Sequence, residues 1–144
     1  MTLRAVVFLD RDGTLNIEAG YIRDLKNLNL IAGAGEAVRL LNEQGIACYL
    51  TTNQTGAARG YYTEDHIKAL NQRLTELLAS HGAKLDGIYY CPHLSQEEGG
   101  TVAPYNIACN CRKPLPGLVD AIYKDHDDLD SALSFVVGDK ATDV

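Results

Sequence analysis

Apolar residues fall along this chain in short unbroken runs that alternate with longer stretches where they recur every three or four positions. A short run bounded by polar residues fits a strand buried on both faces, whereas recurrence at helical spacing gives a helix one dry stripe. The first run, Ala5 to Leu9, stops abruptly at Asp10. Ala34 to Gln44 places Ala37, Leu40 and Leu41 at helical spacing, with Gly45 as a stop. Ile46 to Leu50 then reads as a second buried strand, with Thr51, Thr52 and Asn53 at its tip. The most regular helix starts after Thr63, an N-cap residue followed by Glu64 and Asp65; Ile67, Leu70, Leu74, Leu77 and Leu78 form its stripe before Gly82. Leu85 to Tyr90 reads as a third strand, Pro116 to Lys124 as a short helix, and Leu133 to Val137 as a fourth strand ending in Gly138-Asp139.

Strands alternating with helices predict an α/β fold of the doubly wound, Rossmann-like type, with a parallel sheet, right-handed crossovers and helices on both faces. Residues 1–144 read as one domain. Such sheets bind ligands beyond the carboxyl ends of their strands, where Asp10, Thr52 and Asp139 lie on three different strands. With the chain stopping at Val144, the usual closing helix and strand are missing from this pattern; either the C-terminus is trimmed or the fourth strand is an exposed edge.

Composition narrows the function. The net charge of −6 argues against a nucleic-acid binder, which needs a basic face, so an anionic substrate would require locally concentrated cations. The apolar run near the N-terminus is too short for a signal peptide core or a membrane span, which predicts a cytoplasmic protein. In a reducing compartment the four cysteines point first to metal binding.

Two local patterns carry chemistry. Asp10 and Asp12, spaced by one residue where a strand leaves its sheet, can divide the labour of phosphoryl transfer, one attacking and the other managing protons. Gly13 permits a sharp turn and Thr14 adds a hydroxyl; the plain alternative is a polar turn, since Asp and Gly are turn residues. Cys91-Pro-His93 and Cys109-Asn-Cys111, separated by Leu94 to Ala108, offer three thiolates and an imidazole, a full tetrahedral zinc set with no open position and hence a structural one. The alternative is coincidental clustering in a loop. A loop as long as 91–111 without regular structure is uncommon unless something orders it, and zinc would fix Arg112 and Lys113 just beyond its last ligand. Cys48, inside an apolar run, reads as a small hydrophobe. His66, His81 and His126 have no visible partner and read as surface or helix-end residues.

The segment Asp10-Arg-Asp-Gly-Thr14 resembles the first motif of the haloacid dehalogenase superfamily. The resemblance continues through Tyr49-Leu-Thr-Thr52, Lys113 and Gly138-Asp-Lys-Ala-Thr-Asp143. It implies a phosphatase in which Asp10 forms an aspartyl-phosphate and Asp12 is acid and then base, with Thr52 and Lys113 stabilising the transferring phosphoryl group. It also implies Mg2+ held by the Asp10 carboxylate, the Asp12 backbone carbonyl and Asp139, with Asp143 behind them.

Within the superfamily the chain resembles the D-glycero-D-manno-heptose 1,7-bisphosphate phosphatases, on Asp10 to Asn16, Gly20-Tyr21, Thr52 to Gly60, Gly87 to His93 and Cys109 to Pro114. The related histidinol-phosphate phosphatases share the zinc loop and Cys-Arg-Lys-Pro, and remain an alternative; Gly20-Tyr21 and Gly56 to Gly60 favour the heptose family. The implied reaction removes the C7 phosphate in the route to nucleotide-activated heptose for bacterial surface polysaccharide. The implied substrate contacts are Glu18, Ala19, Gly20, Tyr21, Asn53, Gln54, Thr55, Arg112 and Lys140, with Lys140 placed either to salt-bridge Asp10 or to touch substrate; the plain alternatives are an exposed loop at 18–21 and a solvated lysine at 140. The segment from Arg11 to Gly33 is too short for a cap domain, so this loop and the zinc loop would shape the pocket, and the expected state is a monomer. A phospho-receiver or a zinc-stabilised interaction module is the non-enzymatic alternative, but a receiver takes phosphate on a third-strand Asp, and here that strand ends in Tyr90-Cys91.

Overall fold

The computed structural model describes residues 2–143. Its sheet is built from β1 (Arg4–Leu9), β2 (Ala47–Asn53), β3 (Gly87–Cys91) and β4 (Leu129–Val137), in the spatial order β3-β2-β1-β4. All three pairings are parallel. The helices are α1 (Ala34–Glu43), α2 (Glu64–Ala79) and α3 (Gly117–Asp125), and short helical turns lie at Leu25–Asn27, Gln96–Glu98 and Ala141–Asp143.

The alternation of side chains along β1 shows why its sequence is apolar throughout. Val7 and Leu9 face one way and, with Cys48 and Leu50 of β2, pack under Val38 of α1 and Leu70, Leu74 and Leu78 of α2. Val6 and Phe8 face the other way and, with Ala47 and Tyr49, pack under Ile122 of α3. Helices on both faces leave β1 and β2 no wet side, so period-two patterning vanishes from their sequence. Thr63 caps α2 by accepting a hydrogen bond from the His66 amide at 3.3 Å. Residues 11–33 form no separate cap: Leu15, Ile22 and Leu28 are buried in the core beside α1 and α2.

Three boundaries differ from the sequence pattern. β2 runs on through Thr51, Thr52 and Asn53, because these residues pair with Tyr89, Tyr90 and Cys91 and the polar tip is still hydrogen-bonded sheet. β3 begins at Gly87, its first pairing being with Tyr49. β4 begins at Leu129, which pairs with Arg4 before an irregularity shifts the register to Val6 opposite Ser134. This strand is an edge of the sheet among the described residues, and Leu133, Phe135, Val136 and Val137 are exposed on it. Among the described residues no helix is long and apolar enough to cross a membrane.

Candidate active site

The carboxyl ends of β1, β2 and β4 open into a cleft of about 390 Å³ lined by Asp10, Asp12, Thr52, Lys113 and Asp143, among others. Asp10 leaves β1 beside β4, its amide donating to Val137 O at 3.0 Å. Lys113 reaches it from the loop before α3: Nζ lies 3.1 Å from Asp10 Oδ1, 2.8 Å from Thr51 O and 2.5 Å from Asp143 Oδ1. One ammonium thus bridges two carboxylates and a strand carbonyl, all three of its donors used. Burial pushes the Asp10 carboxyl above the usual carboxylate value; the Lys113 ammonium opposes that rise and the Asp143 carboxylate adds to it.

Carboxylate oxygens of Asp10, Asp139 and Asp143 lie within 4.8 Å of one another, an all-oxygen set suited to a hard divalent cation. Gly13 makes this convergence possible. Its φ is +82°, and a β-carbon there would collide with the Asp139 carboxylate. Asp143, read from sequence as lying behind the metal ligands, is in the cluster itself, and its Oδ2 also accepts from the Lys140 amide at 3.0 Å.

The Asp12 carboxylate faces a different group of donors. Asn16 Nδ2 donates to Oδ1 at 3.0 Å and Gln54 Nε2 to Oδ2 at 3.1 Å, while Arg11 Nη2 lies 3.2 and 3.1 Å from the two oxygens. Gln54 Nε2 also donates to Thr52 Oγ1 at 2.9 Å, tying the second-strand threonine to this network.

The residues expected at the substrate are distributed unevenly. Glu18, Gly20, Tyr21, Asn53, Gln54, Thr55, Arg112 and Lys140 line the cleft; Ala19 does not. Glu18 accepts from the Gly20 amide at 2.9 Å, and Tyr21 and Thr55 share a hydroxyl contact at 3.0 Å. The side chain of Asn53 is spent on the backbone of Lys113, Oδ1 accepting from its amide at 2.9 Å and Nδ2 donating to its carbonyl at 3.2 Å. Arg112 is held by Glu98, with Nε 3.3 Å from Oε2.

Cys91, His93, Cys109 and Cys111 place their ligand atoms within 4.8 Å of one another, and none of the cysteines is in a disulfide. Sulfur–sulfur distances run from 2.9 to 3.5 Å, and His93 Nδ1 lies 3.4 Å from Cys111 Sγ. A tetrahedron with metal–sulfur bonds of about 2.3 Å has edges of about 3.8 Å, so the donor set needs little adjustment to close around zinc. The loop is also clipped to its surroundings: Thr101 and Val102 amides donate to Ala58 O, and Tyr105 Oη donates to Glu64 Oε1 at 3.1 Å.

Four features escaped the sequence reading. Arg11 is buried behind Asp12; Arg59 lines the cleft with its Nε buried and without a hydrogen-bond partner among the described residues; Glu64 receives both Tyr90 and Tyr105 hydroxyls; and His66 Nε2 contacts Ile22 O at 2.8 Å. Arg11 stands between two motif aspartates, and that adjacency was the available signal. For Glu64 and His66 there was none, because their partners lie far away in sequence.

No family model matches the chain. It is 55% identical over 142 residues to the D-glycero-D-manno-heptose-1,7-bisphosphate 7-phosphatase of Thermosynechococcus vestitus, covering 98% of this chain and 72% of that protein. With the D-glycero-beta-D-manno-heptose-1,7-bisphosphate 7-phosphatase of Escherichia coli it shares 42% identity over 138 residues, covering 96% and 70%. Among solved structures, a HAD-like phosphatase from Mesorhizobium loti superposes with TM-score 0.89 at 35% identity, covering 99% of this chain and 66% of that one. D,D-heptose 1,7-bisphosphate phosphatase from B. bronchiseptica, complexed with magnesium and phosphate, gives TM-score 0.81 at 31% identity, covering 96% and 72%.

Proposed function

The chain belongs to the D-glycero-D-manno-heptose-1,7-bisphosphate 7-phosphatase family of HAD-like phosphatases, and from that membership we propose that it removes the C7 phosphate of a heptose 1,7-bisphosphate through an aspartyl-phosphate. The heptose names of relatives at 42–55% identity weigh against histidinol phosphate as substrate and against a non-catalytic role.

The observation that carries the mechanism is the pairing of two carboxylates in one cleft with opposite surroundings. Asp10 is paired with a lysine, whereas Asp12 is engaged by amide and guanidinium donors. Asp10 Oδ attacks phosphorus as the bond from phosphorus to the C7 oxygen breaks, and Asp12 gives that oxygen a proton. Asp12 then takes a proton from water, whose oxygen attacks phosphorus and releases inorganic phosphate and the Asp10 carboxylate. Lys113 and Thr52 supply charge and a hydroxyl to the transferring phosphoryl oxygens. Arg112, Lys140 and the loop from Glu18 to Tyr21 hold the sugar and its second phosphate.

The residues fit Mg2+, which Asp10, the Asp12 carbonyl, Asp139 and Asp143 would hold and which, when bound, neutralises charge on the phosphoryl oxygens. They equally fit a structural Zn2+ at Cys91, His93, Cys109 and Cys111. Four unbridged cysteines support a cytoplasmic setting. The enzyme serves the supply of activated heptose to surface polysaccharide and works as a monomer.

The test is kcat/KM on heptose 1,7-bisphosphate against histidinol phosphate with magnesium present. A preference for the heptose substrate of at least about tenfold, some 1.4 kcal/mol, is expected; equal rates, or the reverse order, would sink the assignment.

A further inference from the structure

Arg11 is the most deeply buried charged side chain of the site, at 1% exposure, and it does not line the cleft. A buried guanidinium is costly unless its donors are all met by good partners. Here they are aimed at three side chains. Nε and Nη2 contact the Asp12 carboxylate at 3.1–3.3 Å, Nη2 donates to Gln54 Oε1 at 3.0 Å, and Nη1 to Asn71 Oδ1 of α2 at 3.3 Å. Asp12 is its ion-pair partner among the described residues, and Asp12 keeps 20% of its side chain exposed toward the cleft.

From this chain of contacts we infer that Arg11 is a positioning residue, fixing the Asp12 carboxylate in the orientation from which it exchanges protons with the leaving oxygen and with water. The inference rests on the proposed role of Asp12. The planar fork spans both carboxylate oxygens, and Gln54, bonded to Arg11, Asp12 and Thr52 together, closes the frame. Rotating the Asp12 carboxylate would break contacts to Arg11, Gln54 and Asn16 at once. Asn71 gives the arrangement its outer anchor, so α2, which never touches the reacting atoms, holds one end of the chain Asn71–Arg11–Asp12. A lysine has no planar fork and would not reproduce this frame.

The experiment compares steady-state kinetics of the wild type, Arg11→Ala, Asn71→Ala and Asp12→Asn on heptose 1,7-bisphosphate and on para-nitrophenyl phosphate. Arg11→Ala is expected to lower kcat about 100-fold on both substrates with KM within about twofold, since loss of orientation acts on the chemical step. Millimolar guanidinium should restore part of that rate to Arg11→Ala and none to Asp12→Asn. An Arg11→Ala enzyme of undiminished kcat, or one whose loss guanidinium does not touch, overturns the inference. If Arg11→Ala does not fold, Asn71→Ala decides: kcat about fivefold lower at constant KM is expected, and an unchanged kcat overturns it. Full activity in Asp12→Asn would instead overturn the assignment of Asp12, a failure that stands apart from an inactive Asp12→Asn beside an active Arg11→Ala.

Discussion

The two metal-capable clusters are built by opposite routes. Asp10 and Asp139 hang from the ends of neighbouring parallel strands, so their separation is set by the sheet, and Asp143 joins them from the turn that follows β4. The sulfur cluster sits on a long loop whose regular structure amounts to the turn Gln96–Glu98; its four ligands come from the end of β3 and from a stretch far along the chain. A sheet-borne site exists before its ion arrives, whereas a loop-borne site exchanges ion binding for loop order. The first cluster should therefore lose chemistry without losing fold, and the second should lose fold first. Lys113 joins the two, because it follows the last sulfur ligand by two residues and salt-bridges the carboxylates.

The largest effect should come from breaking the first cluster. Asp10→Asn should reduce kcat by a factor on the order of 10⁴, with far-UV circular dichroism and Tm close to wild type. A collapse of Tm in that variant would mean that the carboxylates, too, hold the fold together.

Metal removal sharpens the contrast. Exchange of magnesium by a weak chelator should abolish turnover reversibly and leave Tm unmoved. Extraction of zinc should lower Tm by about 10 °C, taking a loss of about 3 kcal/mol and 2–4 °C per kcal/mol for a chain of this size. It should also lower activity by releasing Lys113 and Arg112. Elemental analysis should find about one zinc per chain, and a metal-free protein of equal Tm would remove the sulfur cluster's structural role.

The smallest effect probes how the zinc loop is docked. Glu64 accepts from Tyr90 Oη at 2.5 Å and from Tyr105 Oη at 3.1 Å, and the Tyr90 hydrogen bond holds its carboxyl below the ordinary value of 4.5. A carboxyl depressed in the folded state contributes stability above its unfolded value, and that contribution disappears as pH falls through the folded value. Tyr90→Phe should thus be slightly less stable than wild type at pH 7, and the gap in Tm should close as pH drops below about 4.5. A gap that stays constant with pH would show that the tyrosine acts by packing alone.

Much of this site was legible because its chemistry sits where local patterns end. An apolar run stopping at Asp10, a second run leading to Thr52 and a third ending at Gly138-Asp139 placed three groups at strand ends, and parallel topology puts strand ends together. The grouping of Cys91, His93, Cys109 and Cys111 was legible because paired cysteines and a histidine at this spacing suggest one ligand set. Arg11, Asn71 and Glu64 were not, since an arginine after a motif aspartate, an asparagine within a helix and a glutamate in a first turn all have ordinary surface roles. Asn71 meets Arg11 across 60 positions of chain and Glu64 meets Tyr105 across 41, distances at which sequence pattern has no memory.

The sequence by itself determined the alternation of elements and the strand ends that carry carboxylates, because these depend on neighbours within a turn or a strand, and the donor types of the sulfur cluster, which depend on residue identity alone. Only the tertiary structure decided that Lys113 spans Asp10 and Asp143, that Gly13 clears space for Asp139, and that a buried arginine stands behind Asp12. Each of those depends on side chains packed from elements far apart in the chain, where burial turns proximity into an interaction strong enough to hold a group in place.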